Sequence, residues 1–278
     1  MAAGEVCPIA KLETILLASD GSEFSEGAVR EAIRFAKNCS SRLYVVSVVE
    51  TNPALEAYGP DVVEKMEKKT REIVEEIRGR AQDEGISCEI LSRRGEDTYK
   101  YIVEEAGKLN ADIIVMGRRG RRGIKRLMMG SVTALVVGNA PCDVFVVPRT
   151  AELSCEKILI ATDGSEHSKK AVTEAISIAK RCGSTVMAIS VVSKEDELPE
   201  AEVNLKTVKE IGRKEGIEVE PIAVTGTPYE AIINTAQVKN ADLIVVGTHG
   251  RTGLKKFLIG SVAERVIASA HCVVMVAR

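Results

Sequence analysis

Apolar residues along this chain follow two alternating patterns, which are short continuous runs and longer stretches with a helical period. A run such as 43–49 is too apolar for a strand with one exposed face, so it predicts a buried parallel strand. A stretch such as 25–38 predicts an amphipathic helix, because Ala28, Ala32 and Ile33 fall on one face. The alternation predicts a parallel sheet with helices on both faces and right-handed crossovers.

The first half contains a complete series of such elements. The predicted strands are 14–19, 43–49, 88–92, 112–116 and 143–147, and the predicted helices are 25–38, 61–84, 99–109 and one from about 131. The second half repeats this series and ends with a strand at 272–276.

Two signatures occur twice, which indicates an internal duplication. An Asp-Gly-Ser triplet at 20–22 recurs 143 positions later, at 163–165. A Gly-x-x-Gly-x9-Gly-Ser motif that begins at Gly117 recurs 130 positions later, from Gly247. The offsets differ because the second copy lacks thirteen residues, twelve of them in the stretch 50–80. Both gaps lie in connections or at a helix entry, where insertions are tolerated.

Two domains also suit a chain of 278 residues. The short polar stretch 148–155 separates the copies, and it predicts domains of residues 1–150 and 151–278 that pack closely.

The amino-acid composition argues against some classes of binding partner. The formal net charge is −2, so no general attraction to nucleic acid or to a membrane surface is expected. The chain has no Trp and only 3% aromatic residues, which argues against stacking on single-stranded nucleic acid. Apolar runs fall short of the roughly 20 residues that span a bilayer, so we expect no membrane partner. The first residues lack a secretory pattern, and we therefore expect a cytoplasmic protein.

The seven cysteines include no C-x-x-C pair, and several occupy matching positions in the two copies. Cys39 matches Cys182 late in a helix, and Cys142 matches Cys272 at the start of a strand. We expect these four to be small core residues rather than disulfide partners or metal ligands. The three histidines are too scattered in the sequence to predict a metal site.

Both repeated signatures directly follow predicted strands, where ligands bind in open parallel sheets. Glycine amides can approach an anion closely, and the Gly-Ser pairs at 130–131 and 260–261 open helices whose N-termini suit phosphate. Asp20 and Asp163 are acceptors that suit ribose hydroxyls. Each motif alone also fits a structural turn, but the full set, present twice, indicates a nucleotide pocket. The pattern is neither a P-loop nor the dinucleotide fingerprint.

Each half resembles the universal stress protein family, and the whole chain resembles its tandem form. The resemblance covers nearly all of both halves, and both carry intact the family's ATP-binding signature, Gly-x-x-Gly-x9-Gly-Ser/Thr. It implies two doubly wound α/β domains, each a five-stranded parallel sheet of order 3-2-1-4-5 with the nucleotide between strands 1 and 4. It also implies that the last strands, 143–147 and 273–276, pair crosswise as an internal pseudo-dimer. A further homodimer stays open.

The resemblance assigns to each half one ribose contact, one backbone contact to adenine and a set of contacts near the phosphates. In the first half these are, in that order, Asp20, Val48, and the group Gly117, Gly120, Gly130, Ser131 and Val132. In the second half they are Asp163, Val191, and the group Gly247, Gly250, Gly260, Ser261 and Val262. The implied ligand is ATP, ADP or AMP, with Mg²⁺ as an optional companion.

The first copy departs from the family's usual sequence in its loop 118–126, which contains six cationic residues. Arg119 replaces the usual histidine and Arg122 the usual threonine. Three interpretations of this loop stay open. It is a solvated basic loop, a clamp for phosphates, or a contact with nucleic acid or a protein partner. We expect both halves to bind nucleotide with different affinities.

The residues support a nucleotide-binding regulatory protein, in which occupancy orders the glycine loop and alters the surface offered to an unidentified protein partner. The resemblance adds a role in the stress response. A slow ATPase or autophosphorylating enzyme is the alternative, although a convincing catalytic base is lacking and no catalytic residue or metal ligand is assigned. A third interpretation is a dimerisation module with empty pockets.

Overall fold

Ten strands form one sheet in the part of the computed structural model that is described, residues 6–120, 128–250 and 259–278. They are β1 Thr14–Ala18, β2 Arg42–Glu50, β3 Cys88–Gly95, β4 Ile113–Gly117, β5 Asp143–Val147, β6 Lys157–Ala161, β7 Thr185–Val192, β8 Val219–Thr225, β9 Leu243–Gly247 and β10 Val273–Ala277. Their order is β3-β2-β1-β4-β5-β10-β9-β6-β7-β8. Each half therefore has the expected order 3-2-1-4-5.

Helices connect the strands within each half and cover both faces of the sheet. They are α1 Glu26–Cys39, α2 Pro53–Tyr58, α3 Pro60–Asp83, α4 Thr98–Leu109, α5 Ser131–Asn139, α6 Glu166–Cys182, α7 Leu198–Lys214, α8 Pro228–Lys239 and α9 Ser261–Ser269. The sequence pattern did not predict α2. Its signal is the Asn-Pro pair at 52–53, where the Asn52 side chain accepts a hydrogen bond from the Leu55 amide at 2.8 Å.

The last strands of the two halves join at the centre of the sheet. β5 and β10 pair antiparallel, with Met275 opposite Phe145, whereas the pairs within each half are parallel. This pairing confirms the expected crosswise arrangement. It removes two edges that would otherwise expose unpaired backbone groups.

A hydrophobic core lies on each face of the sheet, which explains why the strands are apolar along most of their length instead of alternating with polar residues. Alternate residues of β1 point to opposite faces, so Ile15 and Leu17 belong to the core that also contains residues of α1, α3, α6 and α7, while Leu16 belongs to the core that contains residues of α4, α5, α8 and α9. Phe35 of α1 meets Phe145 edge to face, with ring centroids 5.3 Å apart.

The stretch that joins the halves, residues 148–156, is called the strap here. It runs along α1, where Arg30 donates to the Ala151 carbonyl and Arg34 donates to the Leu153 carbonyl. Glu31 lies between these arginines and is 1% exposed. Burial raises the pKa of Glu31, although both guanidinium groups act in the opposite direction.

The prediction for Cys39 was wrong, because Cys39 forms a disulfide with Cys7. The segment before β1 passes the end of α1 and brings the two sulfurs together. Cys7 has no cysteine at the matching position of the second half, so the repeat gave no sign of the bond. Cys272 is buried as predicted, and Cys142 is half-buried.

No helix within the described ranges combines the length and the apolar character that crossing a bilayer requires.

Asp143, the first residue of β5, makes stability depend on pH. Burial raises the pKa of Asp143 to about 6, even though the Arg278 amide donates to its Oδ1 at 2.9 Å. Because this pKa lies above the ordinary value of about 4, the carboxyl group favours folding at low pH. That contribution is lost as pH rises from about 4 to about 6.

We expect Asp143→Asn to remove this pH-dependent contribution. Urea midpoints of the native chain and the variant, measured between pH 4 and pH 7, should show the native chain losing stability relative to the variant across that window. Parallel pH profiles would contradict the assignment.

Candidate functional site

A cleft of about 740 Å³ opens in the first half at the carboxyl ends of β1 and β4. This is the point where the strand order reverses, with β2 on one side and β5 on the other. Side chains from α3, α4 and α5 complete the walls. All seven residues predicted for this half line the cleft, namely Asp20, Val48, Gly117, Gly120, Gly130, Ser131 and Val132.

The turn after β1 fixes the side chain of Asp20. Asp20 Oδ1 accepts hydrogen bonds from the amide of Ser22 at 3.0 Å and from its hydroxyl at 2.7 Å. Gly21 has a φ of +66°, a conformation that side chains rarely adopt. A Cβ atom at Gly120 would lie 2.7 Å from Asp20 Oδ2, so the glycine motif and the carboxylate meet closely across the cleft.

The glycine motif is closed at both ends by hydrogen bonds. The Gly130 amide donates to the Arg118 carbonyl at 3.0 Å, and the Thr133 hydroxyl donates to the Gly117 carbonyl at 3.0 Å. Gly117 also packs tightly, because a Cβ atom there would lie 2.8 Å from the Phe24 carbonyl oxygen. These contacts place the end of β4 beside the start of α5.

The N-terminus of α5 faces the cleft through Ser131, Val132 and Thr133. The first hydrogen bond inside this helix runs from the Ala134 amide to the Gly130 carbonyl, at 2.9 Å. The amides of 131–133 precede that bond, so they have no acceptor within the helix. Together with the positive end of the helix dipole, they favour an anion at this position.

The rest of the cleft combines an apolar wall with charged groups near the opening. The apolar lining includes Val46, Val48, Ile102, Met116, Met129, Val132 and Leu135. Lys69 and Arg119 supply cations, and Arg119 Nε also donates to the Met128 carbonyl at 2.9 Å, while Glu50, Glu96 and Asp97 supply carboxylates. The apolar wall suits a flat apolar ring, and the two cations and the start of α5 suit a negatively charged group.

Two of the six loop cations are placed by the structure. Arg119 lines the cleft, whereas Arg118 Nη1 donates to the Ala270 carbonyl of the second half at 2.8 Å. Burial lowers the pKa of Arg118. The other four, Arg121, Arg122, Lys125 and Arg126, lie outside the described residues.

The second half repeats the geometry of the first. Asp163 Oδ1 accepts from the Ser165 amide at 3.0 Å, and a Cβ atom at Gly250 would lie 2.7 Å from Asp163 Oδ2. Gly247 ends β9, and a Cβ atom there would lie 2.7 Å from the backbone carbonyl of His167.

The start of α9 likewise matches the start of α5. The Gly260 amide donates to the Thr248 carbonyl at 2.8 Å, and the first bond inside α9 runs from Glu264 to Gly260. Ser261 and Val262 therefore lie in its first turn, and Val191 is half-buried in β7.

The family model described as the universal stress protein family matches residues 11–148 and 155–278. The chain belongs to the universal stress protein family. Universal stress protein MJ0531 of Methanocaldococcus jannaschii is 40% identical over 146 residues, 47% of this chain and 86% of that protein. A universal stress protein of Mycolicibacterium smegmatis is 28% identical over 288 residues, 95% of this chain and 96% of that protein.

Solved structures of this family extend the likeness to the whole tandem arrangement. A universal stress protein from Archaeoglobus fulgidus has a TM-score of 0.78 at 25% identity, covering 97% of this chain and 99% of that one. A putative universal stress protein from Pseudomonas aeruginosa has a TM-score of 0.71 at 19% identity, covering 96% and 93%. At this low identity, the Pseudomonas aeruginosa structure supports only the assignment of the fold.

The two halves of this universal stress protein differ beside the glycine motif. The His167 and His249 rings lie 5.1 Å apart, and the Thr248 hydroxyl lies 3.2 Å from His167 Nδ1. These two histidines, far apart in the sequence, are therefore neighbours in space. Phe24 and Arg119 occupy the matching positions in the first half.

Sequence reasoning missed a pair of hydroxyl groups under each Asp-Gly-Ser turn. Ser19 Oγ lies 2.9 Å from Ser25 Oγ, and the Thr162 hydroxyl donates to Ser168 Oγ at 3.1 Å. The first hydroxyl of each pair also accepts from the glycine amide of the turn, at 3.1 Å and 3.2 Å. Their repetition 143 residues apart was a usable signal.

Sequence reasoning also missed the wall formed by α3, which includes Met66, Lys69 and Thr70. This helix carries neither of the two repeated signatures, so the sequence did not connect it with the site.

Proposed function

We propose that each half of this universal stress protein binds one adenine nucleotide, ATP, ADP or AMP, and that the chain is a ligand-dependent regulatory switch in the stress response. The binding units are the two domains predicted from the repeat, residues 1–150 and 151–278. Mg²⁺ would accompany the phosphates.

The proposal rests on one observation: three features suited to a nucleotide lie in the same cleft. The helix-start amides of 131–133, the glycine motif and the Asp20 carboxylate all reach the same space. Its volume of about 740 Å³ falls within the usual range for small-molecule sites, roughly 300–1,000 Å³. A core turn without a ligand would not need amides and a carboxylate beside such an opening.

Each part of a nucleotide has a chemically matched partner there. The amides of Ser131 and Val132 would donate to phosphate oxygens, and Asp20 would accept from ribose hydroxyls. The apolar wall around Val48 and Met116 would cover the adenine ring, with a backbone contact at Val48 giving it direction.

The two sites should differ in their preference for charge. Ile73 packs against Gly21 and Asn204 packs against Gly164, so α3 and α7 pack on the turns after β1 and β6 in the same register, 131 positions apart. In that register Lys69 of the first half corresponds to Glu200 of the second. A cation at this position favours ligands with more phosphate charge, and a carboxylate disfavours them. We therefore propose that the first half prefers ATP over AMP more strongly than the second.

The switch follows from where the phosphates would bind. An anion at the start of α5 would add hydrogen bonds between the glycine motif after β4 and the turn after β1, which already approach each other at Gly120 and Asp20. Occupancy would thereby change the surface around the cleft that a protein partner contacts.

The test is to identify what the protein holds. Purified protein should be incubated with ATP, separated from free ligand by gel filtration, and denatured, and the released compounds should be identified by mass. We expect an adenine nucleotide in the protein fraction and little guanine nucleotide in a parallel incubation with GTP. A protein fraction without adenylate would contradict the proposal.

A further inference from the structure

The helices α1 and α6 end on cysteines at matching positions, and each of these has a second cysteine beside it. Cys39 is bonded to Cys7, which comes from the segment before β1. Cys182 ends α6 and packs against the core cluster that contains Cys155, which comes from the segment before β6. The hydroxyl of Ser184, two residues beyond Cys182, donates to the Cys155 carbonyl, and the two thiols interact with each other. One half thus shows a disulfide at the end of this helix, and the other shows two neighbouring thiols there.

We propose that Cys155 and Cys182 are a redox modification site, at which a small disulfide oxidises the two thiols to a second intramolecular disulfide. The bond would tie the strap to the end of α6, as Cys7–Cys39 ties the first segment to the end of α1.

The two thiols differ in a way that assigns their roles. The hydrogen bond from Cys155 lowers the pKa of Cys182, and the neighbouring Arg181 acts in the same direction, while burial and Asp242 oppose them. The same hydrogen bond and burial raise the pKa of Cys155, with Arg34 opposing. Cys182 is half-buried and Cys155 is only 7% exposed. Cys182 is therefore the thiol that a reagent reaches first and the better source of thiolate.

The chemistry needs one equivalent of a small disulfide, RSSR. The Cys182 thiolate attacks one sulfur of RSSR, forming a mixed disulfide and releasing RS⁻. Cys155 then loses its proton and attacks the Cys182 sulfur, which forms the Cys155–Cys182 bond and releases a second RS⁻. The two thiolates take up the two cysteine protons as RSH. The protein loses two hydrogens, and RSSR is reduced to two RSH.

The consequence of the bond lies in the strap. Arg30 and Arg34 of α1 already hold its carbonyls, and the Ser184 hydroxyl donates to the Cys155 carbonyl. A covalent bond to α6 would fix the strap to both halves. By closing a loop of about 28 residues it would also raise the unfolding temperature, by about 5–10 °C.

The experiment treats the native full-length chain with oxidised glutathione, followed by alkylation and tryptic mass spectrometry. We expect the free thiols to fall from five to three, as the five cysteines outside the Cys7–Cys39 bond lose one pair. Peptides 150–157 and 182–194 should appear as a linked pair, and Tm should rise.

Three variants test the roles. Cys182→Ser should leave Cys155 unmodified, whereas Cys155→Ser should trap a glutathione adduct on Cys182. Cys88→Ser, which changes another half-buried cysteine, should form the bond as the native chain does. The proposal is overturned if native protein keeps five thiols under conditions that oxidise the urea-unfolded chain. It is equally overturned if the adduct on Cys182 persists while Cys155 is present.

Discussion

Replacing Gly130 with valine is expected to weaken ATP binding by the first cleft by about 100-fold or more. A Cβ atom at Gly130 would already lie 3.3 Å from Arg119 Cα, so the two methyl groups of valine must turn toward the cleft or displace the start of α5. Either change costs the hydrogen bonds that the α5 amides give to the phosphates. Hydrogen bonds to charged groups contribute about 1.5–3 kcal/mol each, and losing two of them accounts for the estimate.

This effect should be measured by calorimetry in a Gly260→Val background, so that the first site is observed alone. Gly107→Ala is the matched control, since the space around Gly107 in α4 is open and the change should leave affinity unaltered. Undiminished ATP binding by the Gly130→Val, Gly260→Val protein would contradict the assignment of the glycine motif.

Replacing Phe145 with alanine is expected to lower the free energy of unfolding by about 4 kcal/mol. Phe145 is fully buried at the centre of β5, where it faces Met275 of the second half and packs edge to face on Phe35. The truncation removes apolar burial and leaves a cavity at the seam between the halves. Urea unfolding followed by circular dichroism measures the loss.

Tyr58→Ala provides the control for removing an aromatic ring, because Tyr58 is 91% exposed and its loss should change stability by less than about 0.5 kcal/mol. The assignment of Phe145 to a core shared by the two halves fails if Phe145→Ala costs no more stability than Tyr58→Ala.

The duplicated pattern predicted most of the fold because burial on both sheet faces leaves a direct trace in the sequence. The buried positions of β2 are apolar except for Ser47, and the second copy has the same register. α2 escaped prediction because it lies in the stretch that is shortened in the second copy. It is only six residues long, and none of its residues is buried.

The sequence predicted those parts of the candidate site that are formed by backbone groups. A close approach of main chain requires glycine, and Gly117 and Gly120 therefore mark it directly in the sequence. Contacts between distant side chains leave no such mark. His167 and His249 meet only because β6 and β9 are neighbours, and Cys7 reaches Cys39 only because of the path before β1.

Titration of the unmodified chain with ATP tests the central claim most directly, since two glycine-lined clefts should each hold one nucleotide. We expect saturation at two ATP per chain, with two distinguishable affinities, and one fewer site in Gly130→Val or Gly260→Val alone. Saturation at zero, or a stoichiometry that neither variant changes, would contradict it.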